Sequence, residues 1–433
     1  MKCILVILDG LGDRGHAVFK GQTPLEVAQT PNLDRLAALG MNGLYHSWLQ
    51  GVAMPSEIAH FLMFGYDLHE FPGRGYIEAR GDNIRLQNNE VALLARIFSV
   101  KEMDKMLVLE VENPELDQKS CLELQNEIRN FSQDGVEIEF IPTKGIRGLV
   151  LIRGEISAAL TDSNPIYEGR PLMEVVPWES NQHDESAGRT ARILNSYLTW
   201  CYQRLSHHPI NKRRKEAGQA PINAVGTQRP GQMKSVQSFG EKWGLRALAI
   251  SSGALYQGLS RHLGMATQMV KDTGSPGADL LERLKLAKAA ADFDFIFVHT
   301  KATDEASHTK DPQIKKSVIE SIDRAFAYAL DEIITDQDIL LVITADHSTN
   351  SAGEMIHSGE TVPLTMLGKY TRRDDVQQFN EISCAHGALA LVRGKELMYL
   401  ILNFLDRGKL FGLMDSPIDQ PYFPGKYKPL KIK

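Results

Sequence analysis

Residues 338–357, with the sequence DILLVITADHSTNSAGEMIH, decide the fold. The continuous apolar run at residues 339–343 predicts a strand that is buried on both faces of a mostly parallel sheet. Asp346 and His347 follow this run, and His357 comes ten residues after His347. Because ligands of open α/β sheets bind at the carboxyl ends of strands, the stretch predicts a metal site. For this stretch alone, an Asp–His pair that only caps the next helix is the alternative.

The same arrangement occurs at two other places in the chain. The apolar run at residues 295–298 leads to Asp304, and His308 lies four residues beyond that acid. The N-terminal run at residues 3–8 leads directly into Asp9. Buried strands that repeatedly deliver an acid at the same end favour the metal site over the cap.

The composition is that of an ordinary globular protein. The chain has 433 residues, of which 43% are hydrophobic and 24% charged, so one or two large domains are expected. A net charge of −6 gives no support for nucleic-acid or membrane partners. The four cysteines lack CxxC spacing, and the N-terminal apolar run is too short to span a bilayer and lacks a signal-peptide cleavage pattern. We therefore expect a cytoplasmic protein.

The order of predicted elements indicates an inserted domain. From about residue 83, several strands follow one another without a helix after each, which indicates a separate α+β domain. Regular α/β alternation resumes near residue 245. We predict an α/β core formed by residues 1–84 and 244–433, interrupted by an α+β domain at residues 85–243.

Residues 51–66 predict a loop followed by an apolar helix that begins at Ser56. The simplest interpretation is that Ser56 is the N-cap, with Glu57 in the first turn. A helix N-terminus also favours anions, and a divalent cation can deprotonate a serine hydroxyl there so that it attacks phosphorus. The two interpretations are compatible, and we predict that Ser56 is both cap and nucleophile.

The candidate metal ligands are acids, imidazoles and one hydroxyl. They are Asp9, Ser56, Asp304, His308, Asp346, His347 and His357. Such nitrogen and oxygen donors without thiolates suit Mn²⁺, the ion we predict, but also Mg²⁺, Zn²⁺ or Co²⁺. This set is too large for one ion. Shared between two ions, it would leave positions open for substrate oxygens, as two-metal phosphoryl transfer requires.

These motifs resemble those of the alkaline phosphatase superfamily. The likeness rests on Asp9-Gly10, on Ser56 after Gly51-Val52-Ala53-Met54-Pro55, on Lys301-Ala302-Thr303-Asp304-Glu305-Ala306-Ser307-His308, and on Ala345-Asp346-His347-Ser348-Thr349 followed by His357. More narrowly, almost the whole chain resembles the cofactor-independent (2,3-bisphosphoglycerate-independent) phosphoglycerate mutases of the archaeal type. The resemblance implies an alkaline-phosphatase-like three-layer core with an inserted substrate-binding domain.

The resemblance also implies a role for each site residue. One metal would be held by Asp304, His308 and His357, and the other by Asp9, Ser56, Asp346 and His347. Ser56 would take the phosphoryl group from 3-phosphoglycerate and return it to the 2-hydroxyl after the glycerate has turned in the closed cleft between the domains, a step of glycolysis and gluconeogenesis. Asp162 and Arg229 of the inserted domain would bind the glycerate. Lys301 would meet the phosphate or the serine oxygen, with a solvated lysine as the alternative.

The chain departs from the archaeal pattern in the inserted domain. It has Leu160-Thr161-Asp162-Ser163-Asn164-Pro165 where those mutases tend to read Ser-Asp-Thr-Asp-Pro, and Gly226-Thr227-Gln228-Arg229-Pro230-Gly231 where they tend to read Leu-Arg-Gly-Ala-Gly. These departures leave the metal motifs intact and lie in the region that the resemblance implies for glycerate recognition. A metal-dependent phosphohydrolase or phosphomutase acting on another small phosphate or phosphonate ester is the alternative, and an inactive metal-binding homologue would lack a ligand or the nucleophile. The oligomeric state is left open.

Overall fold

The computed structural model describes residues 1–432 and divides into two compact units. The core unit consists of Met1–Phe71 and the chain from Val236 onward, and the inserted unit is Pro72–Ser235. Both boundaries precede those expected from the sequence, which were 84/85 and 243/244. The N-terminal one moves because the helix Arg74–Gly81 packs on strands of the inserted unit, a tertiary contact that local patterns do not predict.

The strands of both units are numbered in chain order. They are β1 Lys2–Leu8, β2 Met41–His46, β3 Val91–Met103, β4 Met106–Val111, β5 Asn130–Gln133, β6 Val136–Pro142, β7 Arg147–Arg153, β8 Ala224–Gln232, β9 Ala247–Ser251, β10 Ala266–Met269, β11 Phe295–Thr300, β12 Ile339–Thr344, β13 Val362–Leu367 and β14 Ala390–Arg393.

The helices are numbered in the same way. They are α1 Pro24–Val27, α2 Pro31–Leu39, α3 Ser56–Met63, α4 Arg74–Gly81, α5 Gln118–Glu127, α6 Glu185–Ser206, α7 Pro209–Glu216, α8 Phe239–Trp243, α9 Ala254–His262, α10 Pro276–Ala289, α11 Ala302–His308, α12 Pro312–Asp323, α13 Phe326–Tyr328, α14 Glu381–Cys384 and α15 Glu396–Phe404. Helix α12 ends at Asp323, whose carboxylate accepts a hydrogen bond from the Leu33 N–H of α2.

The core unit is built on an eight-stranded sheet with the order β10-β9-β11-β1-β12-β13-β2-β14. Its strands pair in parallel except that β13 is antiparallel to both β12 and β2. Every residue of β11 and β12 is buried, as their continuous apolar sequences predict. Helices α9 and α10 pack against β9 and its neighbours, and α2 and α14 pack against β13. The predicted α/β class with a mostly parallel sheet is confirmed.

The inserted unit has an antiparallel sheet with the order β4-β3-β7-β6-β5, and β8 also pairs with β3. Helix α6 begins after Asp184, whose side chain accepts hydrogen bonds from two backbone N–H groups of the first turn. Its residues Ala187, Ala191 and Leu194 recur at helical spacing and are buried, and α6 packs against β8. This arrangement is an α+β layer with its own hydrophobic core.

Candidate metal centre

The acids after β1, β11 and β12 lie at one edge of the core sheet. These strands are adjacent and parallel, and their ends align, with Leu8 paired to Thr300 and Ile7 paired to Thr344. Asp9 and Asp346 therefore leave the sheet side by side, and Asp304 follows in the first turn of α11. All these carboxylates are buried. Parallel pairing of the strands thus brings the three carboxylates together. Because they are buried, they need hydrogen bonds or opposite charges nearby.

Two overlapping groups of side chains can hold cations. The ligand atoms of Asp304, His347 and His357 lie within 4.8 Å of one another, and those of Asp9, Asp346 and His347 do so as well. His347 belongs to both groups, and its ring stacks on that of His357 with the centroids 4.0 Å apart. The Nε2 atom of the predicted ligand His308 lies 3.2 Å from the Asp304 Oδ2 atom. The structure therefore brings all the predicted acids and histidines together.

Ser56 does not cap its helix. The N-cap residue of α3 is Pro55, and Ser56 is the first helical residue with no capping hydrogen bond from its side chain. The helix begins at Ser56 as predicted, but the predicted N-cap role is wrong, because Pro55 holds the N-cap position. The Ser56 Oγ atom instead lies 2.9 Å from the His347 Nε2 atom, and the side chain is buried. The hydroxyl is thus directed at the groups that can hold cations.

Two buried carboxylate oxygens make the chemical case for a cation. Asp9 Oδ1 and Asp346 Oδ2 have no hydrogen-bond partner among the described residues. The second oxygen of each carboxylate is occupied, since Asp346 Oδ1 accepts from the Gly10 N–H at 3.1 Å and Asp9 Oδ2 accepts from Tyr256 and His299. A buried oxygen without a partner is costly, and a divalent cation would satisfy both. The residues present therefore fit a metal site.

The burial and close spacing of the ionisable side chains determine which of them are protonated. Burial and the charge of Asp9 raise the pKa of Asp346 well above its ordinary value. Burial opposes ionisation of Asp9 too, but the hydrogen bond from His299 and the positive charge of Lys301 hold its pKa well below the ordinary value. Burial and His357 lower the pKa of His347 to about 4. His347 is therefore a neutral imidazole at neutral pH, the form that binds metal ions.

Some residues of the centre were not predicted from the sequence. His60 Nδ1 lies 2.8 Å from the Ser56 carbonyl oxygen and 3.3 Å from Asp346 Oδ2. Thr349 Oγ1 donates to Asp304 Oδ1 at 2.8 Å. His60 follows Ser56 by four residues, which places both on one face of α3. This spacing could have predicted from the sequence that His60 lies near Ser56. Tyr256 lies within α9 and carries no local signal.

Lys301 lies beside the site. It is the N-cap residue of α11, and its Nζ atom is 3.7 Å from the Asp304 Oδ2 atom. One third of the side chain is exposed, at 33%. The ammonium group is thus close to an acid of the centre and is also reached by solvent.

The predicted glycerate-binding residues lie together in the inserted unit. The Arg229 N–H donates to Asp162 Oδ1 at 2.6 Å, and Arg229 has a positive φ of 51° within β8. Hydrogen bonds between Ser163 and Thr227 join the same two segments. Burial raises the pKa of Asp162, although the Arg229 N–H and side chain oppose this shift.

A buried lysine joins the loops that carry the acids. The Lys315 Nζ donates to the carbonyl oxygens of Gly10 at 3.0 Å, Gly12 at 2.8 Å and Thr349 at 2.8 Å. It also lies 3.2 Å from Asp13 Oδ2. The chain after β1 and the chain after β12 are therefore held by one ammonium group.

Glu381, next to this lysine, is expected to make stability depend on pH. Burial raises its pKa to about 7, although Thr23 donates to it and Lys315 is near. The pKa of Glu381 is higher in the folded state than in the unfolded state, so the protonated carboxyl contributes to the stability of the fold. This contribution is fully present below about pH 4.5 and is lost as the pH rises through about 7. We expect Glu381→Gln to stabilise the protein at about pH 8 by roughly 1–3 kcal/mol, and much less at about pH 5.

Thermal unfolding at the two pH values measures this difference, with Glu282→Gln on the exposed surface of α10 as the control. A change in the unfolding midpoint that is the same at both pH values would contradict the assignment.

The fold and the site together define a metal-dependent enzyme. The sequence model of the metalloenzyme superfamily matches residues 1–404 of the chain, which agrees with the acids and imidazoles at the strand ends. Divalent metal binding is thus a property of this chain's superfamily. Within residues 1–432, none of the helices has both the length and the apolar character needed to cross a membrane.

Curated relatives and a solved structure indicate which kind of metalloenzyme the chain resembles. The chain is 40% identical over 432 residues to 2,3-bisphosphoglycerate-independent phosphoglycerate mutase 2 of Methanocaldococcus jannaschii, covering 98% of each protein. It is 33% identical over 418 residues to the mutase of the same type from Methanopyrus kandleri, covering 95% of this chain and 98% of that one. The cofactor-independent phosphoglycerate mutase of Thermoplasma acidophilum has a TM-score of 0.63 at 27% identity and covers 94% of this chain and 100% of that one.

The chain therefore belongs to the 2,3-bisphosphoglycerate-independent phosphoglycerate mutases, a family of metalloenzymes, and the membership predicted from its motifs is confirmed.

Proposed function

We propose that this enzyme interconverts 3-phosphoglycerate and 2-phosphoglycerate through a phosphorylated Ser56. The observation that carries the proposal is the position of the Ser56 Oγ atom, 2.9 Å from the Nε2 atom of His347, the residue shared by both candidate cation groups. A nucleophile at this point would lie beside any cation held there. Its phosphoryl group would be neutralised where it is formed.

We further propose two divalent cations at this centre. Asp304, His308 and His357 would hold one, and Asp9, Ser56, Asp346 and His347 would hold the other. Supporting this division, His347 Nε2 lies 3.1 Å from Asp346 Oδ2 and 3.4 Å from Asp9 Oδ1. Mn²⁺ is the proposed ion, and Mg²⁺, Zn²⁺ or Co²⁺ would be accepted by the same donors. When bound, the ions would neutralise phosphoryl charge and make the serine hydroxyl more acidic.

The chain itself contributes positioning, charge and exclusion of water. Ser56 is the first residue of α3, so the positive end of the helix dipole lies next to the nucleophile and favours a phosphate anion. Lys301 adds a positive charge beside Asp304. The Ser56 side chain is buried, and this suits a mutase, because a phosphoserine open to water would be hydrolysed instead of returning its phosphoryl group.

In the inserted unit, we propose that Asp162 and Arg229 bind the glycerate part of the substrate. A guanidinium group can make two charge-assisted hydrogen bonds to a carboxylate. Supporting this role, the two residues are joined by a backbone hydrogen bond although they are far apart in the sequence. We also propose a cytoplasmic location, in line with a glycolytic family, and a small phosphorylated substrate in place of a nucleic-acid or membrane partner.

The substitution Arg229→Gln is expected to raise the KM for 3-phosphoglycerate by roughly 10-fold to 100-fold, because a charge-assisted hydrogen bond contributes about 1.5–3 kcal/mol. Mn²⁺ affinity should stay unchanged. Steady-state kinetics at saturating Mn²⁺ measure the effect. Arg204→Gln on α6 is the control, since Arg204 is half exposed and pairs with Glu127. An unchanged KM would remove Arg229 from the substrate site.

The product of the reaction tests the proposed function as a whole. Metal-loaded enzyme is given 3-phosphoglycerate, and 2-phosphoglycerate is followed by coupling to enolase while inorganic phosphate is measured in parallel. We expect 2-phosphoglycerate and little phosphate. Phosphate as the main product would instead assign the chain to the phosphohydrolases that share this chemistry.

A further inference from the structure

We propose that Tyr256 and His299 are positioning residues that lock the Asp9 carboxylate in the orientation needed for metal binding. This inference rests on the proposed function, because it takes Asp9 as a metal ligand. It adds two residues that would act through Asp9 and would not themselves contact the ion.

Both hydrogen bonds that the Asp9 side chain accepts from Tyr256 and His299 are made by the same carboxylate oxygen. Its Oδ2 atom accepts from the Tyr256 hydroxyl and from His299 Nε2, the latter at 2.9 Å. Its Oδ1 atom has no hydrogen-bond partner among the described residues and lies 3.4 Å from His347 Nε2. Two donors therefore hold one oxygen and leave the other facing the candidate metal centre.

The two donors are themselves held in place. The rings of Tyr256 and His299 pack on each other with centroids 3.7 Å apart, and both residues are buried. The guanidinium of Arg283, which is also buried, donates to the His299 carbonyl oxygen at 2.6 Å. On the other side, the Thr303 hydroxyl donates to the Asp9 carbonyl oxygen. Neither the acid nor its donors can rotate without breaking buried contacts.

The Tyr256 and His299 donors distinguish Asp9 from the other two acids. Asp346 is held through a backbone N–H, that of Gly10, and Asp304 through the hydroxyl of Thr349, which belongs to the same loop as His347. The donors of Asp9 come instead from α9 and β11, outside the loops that carry the ligands. Hydrogen bonds of this kind orient metal ligands, and losing them typically weakens metal binding about 10-fold to 100-fold.

The hydroxyl of Tyr256 can be removed without changing the shape of the ring. We expect Tyr256→Phe and His299→Leu to weaken one of two Mn²⁺ binding steps by about 10-fold to 100-fold and to leave the other unchanged. The weakened step should be the one that Asp9→Asn abolishes. His299→Gln, which keeps an N–H donor, should restore part of the affinity. In assays, Tyr256→Phe should raise the Mn²⁺ concentration for half activation more than it lowers kcat at saturating Mn²⁺.

The measurement is a titration of metal-stripped, full-length protein with Mn²⁺, with free Mn²⁺ followed by electron paramagnetic resonance. Tyr66→Phe is the matched control, because Tyr66 is also buried and its hydroxyl donates to the Gln237 carbonyl oxygen at 2.9 Å. The inference is overturned if Tyr256→Phe binds Mn²⁺ as the unmodified protein does, or if Tyr66→Phe has the same effect. If Asp9→Asn keeps both binding steps, the proposed metal centre itself is wrong.

Discussion

The variant Ser56→Ala is expected to lower kcat/KM for the conversion of 3-phosphoglycerate to 2-phosphoglycerate by at least roughly 10³-fold, since loss of a nucleophile removes the covalent route altogether. The alanine should fit without strain, because the serine hydroxyl makes no capping bond to α3. An enolase-coupled assay measures the loss. Ser196→Ala in α6, which removes a hydroxyl that bonds the Arg192 carbonyl oxygen, is the control.

Metal binding separates loss of the nucleophile from loss of the fold. The Ser56→Ala protein keeps the acids and imidazoles of the centre, so it should still bind two Mn²⁺ ions, with at most a modest loss of affinity. Ser56→Ala protein that turns over 3-phosphoglycerate at the normal rate would contradict the nucleophile assignment.

Removal of the ions is expected to have the second large effect. Metal-stripped enzyme should have no measurable mutase activity, and added Mn²⁺ should restore it. The variant Asp304→Asn should bind one ion in place of two and lose roughly 10²-fold or more in kcat, because half of the charge stabilisation on the phosphoryl group is missing. Metal analysis of dialysed protein and the coupled assay measure the two quantities.

Asp311→Asn is the control for this substitution. Asp311 caps α12, where its side chain accepts a hydrogen bond from the Gln313 N–H, and asparagine caps a helix equally well. The variant should keep both ions and full activity. An Asp304→Asn enzyme that still holds two ions would remove Asp304 from the ligand set.

The acids of the centre could be predicted because the signals are local. An apolar run that is followed directly by Asp9, or within three residues by Asp346, indicates the end of a buried strand, and parallel pairing of such strands brings their ends to one edge. The donors behind the acids could not be predicted in this way. Tyr256 lies within α9 and carries no local signal, and its contact with Asp9 depends on how α9 packs against β9 and its neighbours.

The start of α3 departs from the usual residue preference at helix N-termini. Serine is a preferred N-cap residue, and Pro55-Ser56-Glu57 matched that preference, yet proline holds the N-cap position. The Ser56 hydroxyl is instead directed at His347, a residue far along the chain. A tertiary contact at the candidate metal centre accompanies this departure from a local preference, and such departures are expected at sites of this kind.

The most direct test of the account is to identify the residue that carries the phosphoryl group. Enzyme mixed with 3-phosphoglycerate labelled in the phosphate is quenched in acid during turnover, digested and analysed by mass spectrometry. We predict the label on Ser56, in metal-loaded enzyme and not in metal-stripped enzyme. Label on another residue, or turnover without any covalent label when quenching is fast enough to capture single turnovers, would contradict the proposed chemistry.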